Sequence, residues 1–334
     1  MTRRPVPDAL ALSPDPRRVL VLGGTGTIGR AAVAALVARG HRVTAIVRPG
    51  TAAGRAPAGA TIREADVTDP RSLRRDGLTG LRFDALVSCL ASRTGDPRDA
   101  WAIDHAAHGT VLEGAHDAGV TRMVLLSAIC VQRPRLAFQY AKLAFEAELA
   151  VSGLDYSIVR PTAYFKSLSG QIDRVRAGRP WLLFGDGRLT ACKPIADEDL
   201  ADYLADCLDD PGRRNRILPI GGPGPAITPR DQGEALFRLL GQRPRFRHVT
   251  PRLLDAVAAA LGLAGRLSPR LRARAEFARI GRYYATESML VWNPATGRHD
   301  ADATPEAGTR TLFDFYARVL RGEATVDRGD HAAF

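Results

Sequence analysis

Arg18 to Gly29 reads RVLVLGGTGTIG, and the fold follows from this stretch. Val19 to Leu22 is an unbroken apolar run, which predicts a short strand buried on both faces. It leads directly into Gly23-x-x-Gly26-x-x-Gly29, and then into an Ala/Val/Leu helix ending near Arg39-Gly40. In a dinucleotide-binding turn each glycine has its own task. Gly23 allows the tight bend, Gly26 lets backbone approach a diphosphate, and Gly29 permits close helix–strand packing. Thr25, Thr27 and Ile28 fill the intervening positions, and free amides at the helix start receive the phosphate charge. A bare turn can share the glycine spacing, but a strand before it and a helix after it point to a ligand.

Working outward, His41 to Val47 supplies a second strand, with Arg48 just past its end. An acid there would meet the ribose hydroxyls of NAD, whereas a cation suits the 2′-phosphate of NADP. Arg48 therefore predicts NADPH as cofactor, with Arg30 and Arg55 as helpers. Strand and helix signals then alternate: Thr61 to Ala65, Phe83 to Ser88, a helix over Asp99 to Ala118, and Arg122 to Leu126. A further helix covers Ala137 to Ser152, and Tyr156 to Val159 runs into Arg160-Pro161-Thr162. This rhythm predicts an α/β fold, a Rossmann-type doubly wound parallel sheet with ligands at the strand carboxyl ends. Asp66 and Val67 are then placed to meet the adenine, Ser88 and Ser127 lie beside the cofactor, and Pro161-Thr162 approaches the nicotinamide.

The chain has 334 residues, a formal charge of +11 and a composition typical of globular proteins. Such charge fits an anionic partner, and equally a genome that favours arginine codons. Cys89, Cys130, Cys192 and Cys207 form no CxxC pair, which argues against a zinc ribbon or disulfide framework and fits a reducing compartment. The first sixteen residues are Pro-rich and basic, without an apolar signal-peptide core, and no stretch reads as a membrane span. A cytoplasmic protein is expected. His105, His108 and His116 share the Asp99–Ala118 segment, but no carboxylate or cysteine close in sequence completes a metal set, so packing or surface histidines are expected.

Three segments are anticipated: a flexible stretch over 1–16, an NADP-binding domain over 17–164, and a small C-terminal substrate lobe over 165–334 packed on it. Asp197, Glu198 and Asp199 open a helix running to Leu208, where acids suit the N-terminus. Residues 241–285 carry ten arginines against Asp255 and Glu276, with leucines at helical spacing. They would form two packed helices with solvated arginines, a peripheral contact with anionic membrane, or a partner for an anionic carboxylate side chain of a substrate. No helix-turn-helix, zinc finger or aromatic-basic module suggests nucleic acid.

GGTGTIG, Asp66-Val67, Ser127, Lys142 and Arg160-Pro161-Thr162 together resemble atypical short-chain dehydrogenases of the NmrA-like and isoflavone-reductase-like kind. Longer strings are more distinctive. SCLASRTG (Ser88–Gly95), LLSAICVQRP (Leu125–Pro134), FQYAKLAFEAEL (Phe138–Leu149), RPTAYFKSLSGQ (Arg160–Gln171), FGDG (Phe184–Gly187), KPIADEDLA (Lys193–Ala201), ATESMLVW (Ala285–Trp292) and RGDHAAF (Arg328–Phe334) resemble the divinyl chlorophyllide 8-vinyl reductase family. The resemblance implies NADPH-dependent reduction of a tetrapyrrole vinyl group to ethyl, on divinyl chlorophyllide or protochlorophyllide, in chlorophyll or bacteriochlorophyll synthesis. One departure stands out. Short-chain dehydrogenases commonly act through Tyr-x-x-x-Lys, but the residue four before Lys142 is Phe138. A tyrosine there protonates a carbonyl oxygen, and reduction of a vinyl group makes no alkoxide. Phe138 is thus free to face an apolar macrocycle, with Phe165 as a second pocket wall. Lys142 is expected to hold the nicotinamide ribose, to supply the proton, or both, and Tyr164 is the spare proton donor. The alternative readings are a non-catalytic NADP-binding regulator or assembly subunit, or another ene- or ether-reductase.

Overall fold

The computed structural model describes residues 12, 13, 15–51, 53–264 and 268–326. Its frame is a seven-stranded parallel sheet of β1 (Arg18–Leu22), β2 (Arg42–Val47), β3 (Thr61–Glu64), β4 (Ala85–Ser88), β5 (Arg122–Leu126), β6 (Asp155–Pro161) and, beyond β7 (Trp181–Phe184), β8 (Arg216–Ile220). The strands lie in the order β3-β2-β1-β4-β5-β6-β8. Strand order reverses between β1 and β4, and a crevice for ligands opens at that switch.

Alternation along each strand divides the core. Val19 and Val21 turn to one face with Ala85, Val87, Val124 and Val159. Leu20 and Leu22 turn to the other with Leu86, Met123, Leu125 and Ile158. Helices Thr27–Ala38 and Asp197–Asp209 cover the first face, the latter through Leu200, Leu204 and Leu208. Helices His108–Asp117 and Ala137–Ala150 cover the second through Val111, Ala115, Phe145 and Leu149. Each fully buried leucine or valine contributes on the order of 2 kcal/mol, so the two-faced sheet is the stable centre.

The structure adds to the sequence expectations in four places. The helix read over Asp99–Ala118 is wound in three parts, Pro97–Ala100, a π-helical Trp101–Ala107 and His108–Asp117. A π turn takes an extra residue, as often happens at functional sites, and here Asp104 lies in it, buried. The division expected at residue 165 does not divide the sheet: β8 pairs with β6, and Asp197–Asp209 packs on β1's face, although both follow that point. In the segment expected to be flexible, Ser13 donates its amide to the Arg39 carbonyl at 2.9 Å and its hydroxyl to Asp209 at 3.1 Å. Residues 1–11 and 14 lie outside the described residues, as does the whole of the Arg328–Phe334 string.

The fourth addition concerns the acids at Asp197–Asp199. All three stand in the first turn of their helix, but Asp199 does more than suit its dipole. It is buried, accepts the amides of Thr309 at 3.2 Å and Arg310 at 3.0 Å, and pairs with the Arg310 guanidinium. The same returning segment hydrogen-bonds β8's end, through Gly221 N to Pro305 O and Ala307 N to Gly221 O.

The rest of the chain beyond β6 gathers round Trp181, Leu183, Phe237 and Tyr316, where β7 pairs in parallel with β9 (Phe246–Val249). A further apolar cluster of Ile129, Cys130, Leu136, Cys192, Tyr283 and Met289 joins this lobe to the residues following β5. Helices Pro251–Ala264 and Pro269–Tyr284 pack together, and the first leaves Leu253, Val257 and Leu263 exposed. Arg266 lies outside the described residues.

Candidate functional site

The glycine turn shows why each glycine is required. Gly23 has φ +70°, and a Cβ on it would sit 2.5 Å from the Cys89 carbonyl oxygen at the end of β4. On Gly29 a Cβ would lie 2.1 Å from the Gly23 oxygen. At Gly26 it would meet only that oxygen, at 3.3 Å, so the other side of this residue is open. Gly26 is the N-cap of Thr27–Ala38, whose start has no side-chain cap and no acid in its first turn. Amides of Thr27 and Ile28 therefore present the positive pole of the helix, and the turn fits the diphosphate of a dinucleotide.

Past the ends of β2 and β3 stand Arg48, Asp66 and Val67. Arg48 is exposed just past β2 and close enough to Asp66 to act on its charge. The Asp66 carboxylate accepts the Thr68 amide at 2.9 Å and hydroxyl at 2.6 Å. Those bonds, ahead of Arg48, hold its pKa below the usual range. Val67 is buried in the second core. Arg30, expected as a helper at the 2′-phosphate, donates one guanidinium hydrogen bond to the Thr25 carbonyl at 2.8 Å and braces the glycine turn.

Ser88 ends β4, but its hydroxyl turns into the protein. It lies 2.8 Å from His108 Nε2, and His108 Nδ1 lies 2.9 Å from the Ile103 carbonyl. A carbonyl only accepts, so Nδ1 carries the proton and Ser88 donates to Nε2. Burial, with the Lys142 charge behind it, pushes the His108 pKa down to about 4. His108 is thus a packing histidine, while His105 pairs with Glu148 at 2.6 Å, a carboxylate far away in sequence. Among the described residues no group of three or more metal-ligating side chains occurs.

Lys142 lies 3.0 Å from Asp104, with both side chains nearly buried. Asp104 also accepts the Ser92 hydroxyl at 2.5 Å, from the loop after β4. The π turn thus delivers a carboxylate to the lysine, a partner the sequence reading missed. Ser127, placed by its amide's bond to the Val159 carbonyl, gives its hydroxyl to Glu146, which also pairs with Arg160. Ser127 is therefore tied into a buried triad rather than turned outward. Pro161 pairs with Ile220 across β6 and β8, and the Thr162 hydroxyl donates to the Lys193 carbonyl.

The two expected pocket phenylalanines belong to two apolar clusters that share Leu168. Phe138 packs, half-buried, on the Cys130–Met289 cluster with Ala128, Ala163 and Leu168. Phe165 is buried in the lobe core, with its ring 5.6 Å from that of Phe315. Tyr164 joins the sheet's first core face, and burial raises its pKa well above that of an ordinary phenol, so its proton stays on. Lys166, which the sequence reading also passed over, donates to the Thr27 hydroxyl at 2.6 Å. Neither Asp104 nor Lys166 lies in a motif that identifies its partner.

The family model for NAD(P)H-binding proteins matches residues 23–211, more than half of the chain and well past the division at 165. The chain therefore belongs to the NAD(P)H-binding Rossmann class. Divinyl chlorophyllide a 8-vinyl-reductase, chloroplastic, of Oryza sativa subsp. indica is 48% identical over 97% of this chain and 84% of its own length. The chain is a member of the divinyl chlorophyllide a 8-vinyl-reductase family. Photosystem II assembly factor Ycf39 of Synechocystis is 30% identical, over 46% of this chain and 47% of its own length. Among solved structures, NADPH-dependent quinone oxidoreductase QOR2 from Escherichia coli, complexed with NADPH, superposes with a TM-score of 0.62. It covers 90% of this chain and 99% of its own at 20% identity, which speaks for the fold alone.

Proposed function

We propose that this protein is an oxidoreductase that reduces the 8-vinyl group of a divinyl chlorophyllide or protochlorophyllide to ethyl, with NADPH as its cofactor. The observation that carries this reading is Phe138 in an apolar wall with Ala128, Ala163 and Leu168, on the helix that presents Lys142. A carbonyl substrate wants an oxygen-binding hydroxyl at that place, and a conjugated macrocycle wants a hydrocarbon surface.

NADPH, when bound, supplies a hydride. The glycine turn holds its diphosphate through the amides of Thr27 and Ile28, and Arg48 favours the 2′-phosphate. Lys142 is already drawn upon by buried Asp104, and loss of its charge would leave that carboxylate without its cation. We therefore assign Lys142 to orienting the nicotinamide ribose. Hydride addition at the terminal vinyl carbon leaves a carbanion spread over the ring, and the adjacent carbon takes a proton. Tyr164, which lies beside the Pro161-Thr162 end of β6, is our assigned donor. Lobe residues beyond 165 would shape the pigment pocket.

The half-exposed apolar helix Pro251–Ala264, in an arginine-rich stretch, supports peripheral contact with a pigment membrane from its cytoplasmic or stromal side. No helix among the described residues is long and apolar enough to cross one. The assembly-factor reading is weaker, because that likeness covers under half of the chain.

Purified protein, NADPH and divinyl chlorophyllide are expected to give a shorter-wavelength Soret band and a product heavier by two hydrogens. No product with demonstrably bound NADPH would exclude this substrate. Lys142→Met is expected to lower turnover roughly 100-fold, within the range for a positioned catalytic side chain. Unchanged turnover would remove Lys142 from the mechanism.

A further inference from the structure

Two arginines share one acid beside the apolar wall that holds Phe138. Glu287 is buried, and Arg133 donates to both of its oxygens, at 2.9 and 3.2 Å. Arg133 is also stacked on Trp292, its guanidinium carbon 4.2 Å from the ring centroid. That pair balances the carboxylate by itself. Yet Arg135 reaches the same carboxylate at 3.1 Å, with its own side chain half exposed, and His299 Nε2 stands 3.3 Å from it. Among the described residues the ion pairs of Arg133 and Arg135 all go to Glu287, so the two arginines carry one positive charge in excess of their acid. The segment that bears them is fixed. The Arg135 amide donates to Gln139 Oε1 at 2.7 Å, and the Tyr283 hydroxyl donates to the Arg133 carbonyl at 3.1 Å. Leu136 and Tyr283 belong to the cluster on which Phe138 packs.

A guanidinium offers five N–H donors in a planar fork that matches a carboxylate. We propose that Arg135, backed by the Arg133–Glu287 pair, anchors a carboxylate on the edge of the substrate, so that the enzyme takes the free acid of its pigment in preference to the ester. The inference rests on the reading of the substrate as a divinyl chlorophyllide or protochlorophyllide, which carries one free propionate. In such a macrocycle the 8-vinyl group and the propionate stand on opposite pyrrole rings. The anchor must therefore lie a ring system's width from the nicotinamide. Arg135 precedes Lys142 by seven residues, on the order of 10 Å at the rise of a helix, which allows that span.

The methyl ester of the pigment, which keeps the vinyl group and loses the charge, supplies the test. KM and kcat are measured with NADPH for divinyl chlorophyllide and for its methyl ester, on the wild-type protein, Arg135→Gln and Arg135→Lys. Wild type is expected to favour the free acid roughly tenfold in KM, the low end for a charge-assisted hydrogen bond, as suits a half-exposed site. Arg135→Gln should abolish the preference by raising KM for the acid while kcat is kept, because the carboxylate is remote from the reacting carbon. Arg135→Lys should keep part of the preference, and it reads the same contact should Arg135→Gln melt early. Equal KM values for acid and ester in wild type overturn the proposal, as does an undiminished preference in Arg135→Gln. A wild-type protein that reduces neither pigment overturns the vinyl-reduction reading. Dissociation constants for acid and ester, read by fluorescence quenching, then decide the anchor by the same comparison, and binding of neither overturns both.

Discussion

The glycine turn after β1 and the network between β5 and β6 lie on the same edge of one sheet, built by opposite means. At the turn, backbone makes the site: a Cβ at Gly23 or Gly29 would strike main-chain atoms. Between β5 and β6, side chains make it, as Glu146 holds Ser127 and Arg160, and Asp104 holds Lys142. A backbone site is written in consecutive residues and tolerates no added atom. A side-chain site is written in pairs far apart in sequence, and its strength depends on burial of both partners. The two should therefore fail differently.

Gly29→Ala attacks the backbone site. Its Cβ would lie 2.1 Å from the Gly23 oxygen and 2.9 Å from the Gly24 Cα, atoms that move only if the whole turn moves. Urea unfolding should show a loss of about 4 kcal/mol or more, with dinucleotide binding abolished. Binding retained at a cost under about 1 kcal/mol would show the turn to be pliable and erase the contrast. Glu146→Ala attacks the side-chain site, leaving Arg160 and Ser127 buried without their acceptor. A loss of about 3 kcal/mol is expected in the same experiment, with NADPH affinity within a few-fold of wild type. Strongly weakened NADPH binding in a stable Glu146→Ala protein would mean that the triad faces the ligand after all.

His108 gives the smallest and most diagnostic effect. It is neutral in the fold, with its pKa near 4 against 6.5 for a free imidazole. Between those values the unfolded chain binds the extra proton, so this residue's contribution falls as pH falls through the window. The slope is at most about 1.4 kcal/mol per pH unit. Full stability from this source is present above about pH 6.5. His108→Gln, which can still accept from Ser88, should flatten that acid limb of the stability curve relative to wild type. Parallel limbs in the two proteins would mean that His108 is not held neutral.

The same contrast explains what the sequence disclosed. The strand Arg122–Leu126 and the start of the helix at Ala137 were legible because apolar runs and periodicity are local signals. So was the glycine turn, for which spacing alone specifies the geometry. β8 escaped notice because RILPI contains Pro219 and sits between Pro211 and Gly221-Gly222. It is an edge strand, where a proline breaks no ladder on its open side. The π turn escaped because Trp101–Ala107 reads as ordinary helix, and only the added residue per turn brings Asp104 to Lys142. Phe138 was identifiable from the missing tyrosine, but the different clusters that it and Phe165 enter were not. Position along the chain says nothing about which of two cores a side chain enters.

The Asp199 clasp bears on how the chain is made. Its carboxylate is buried in a helix that covers the sheet, yet three of its donors come from Thr309 and Arg310. Gly308 is needed there as well, since a Cβ on it would lie 2.1 Å from the Asp199 carboxyl carbon. On a ribosome the sheet and its covering helix emerge long before residue 310. Until that point the growing polypeptide holds an acid at a place from which water must be driven and to which no cation has arrived. A fragment ending where the NAD(P)H-binding match ends would leave that acid without the Thr309 and Arg310 donors.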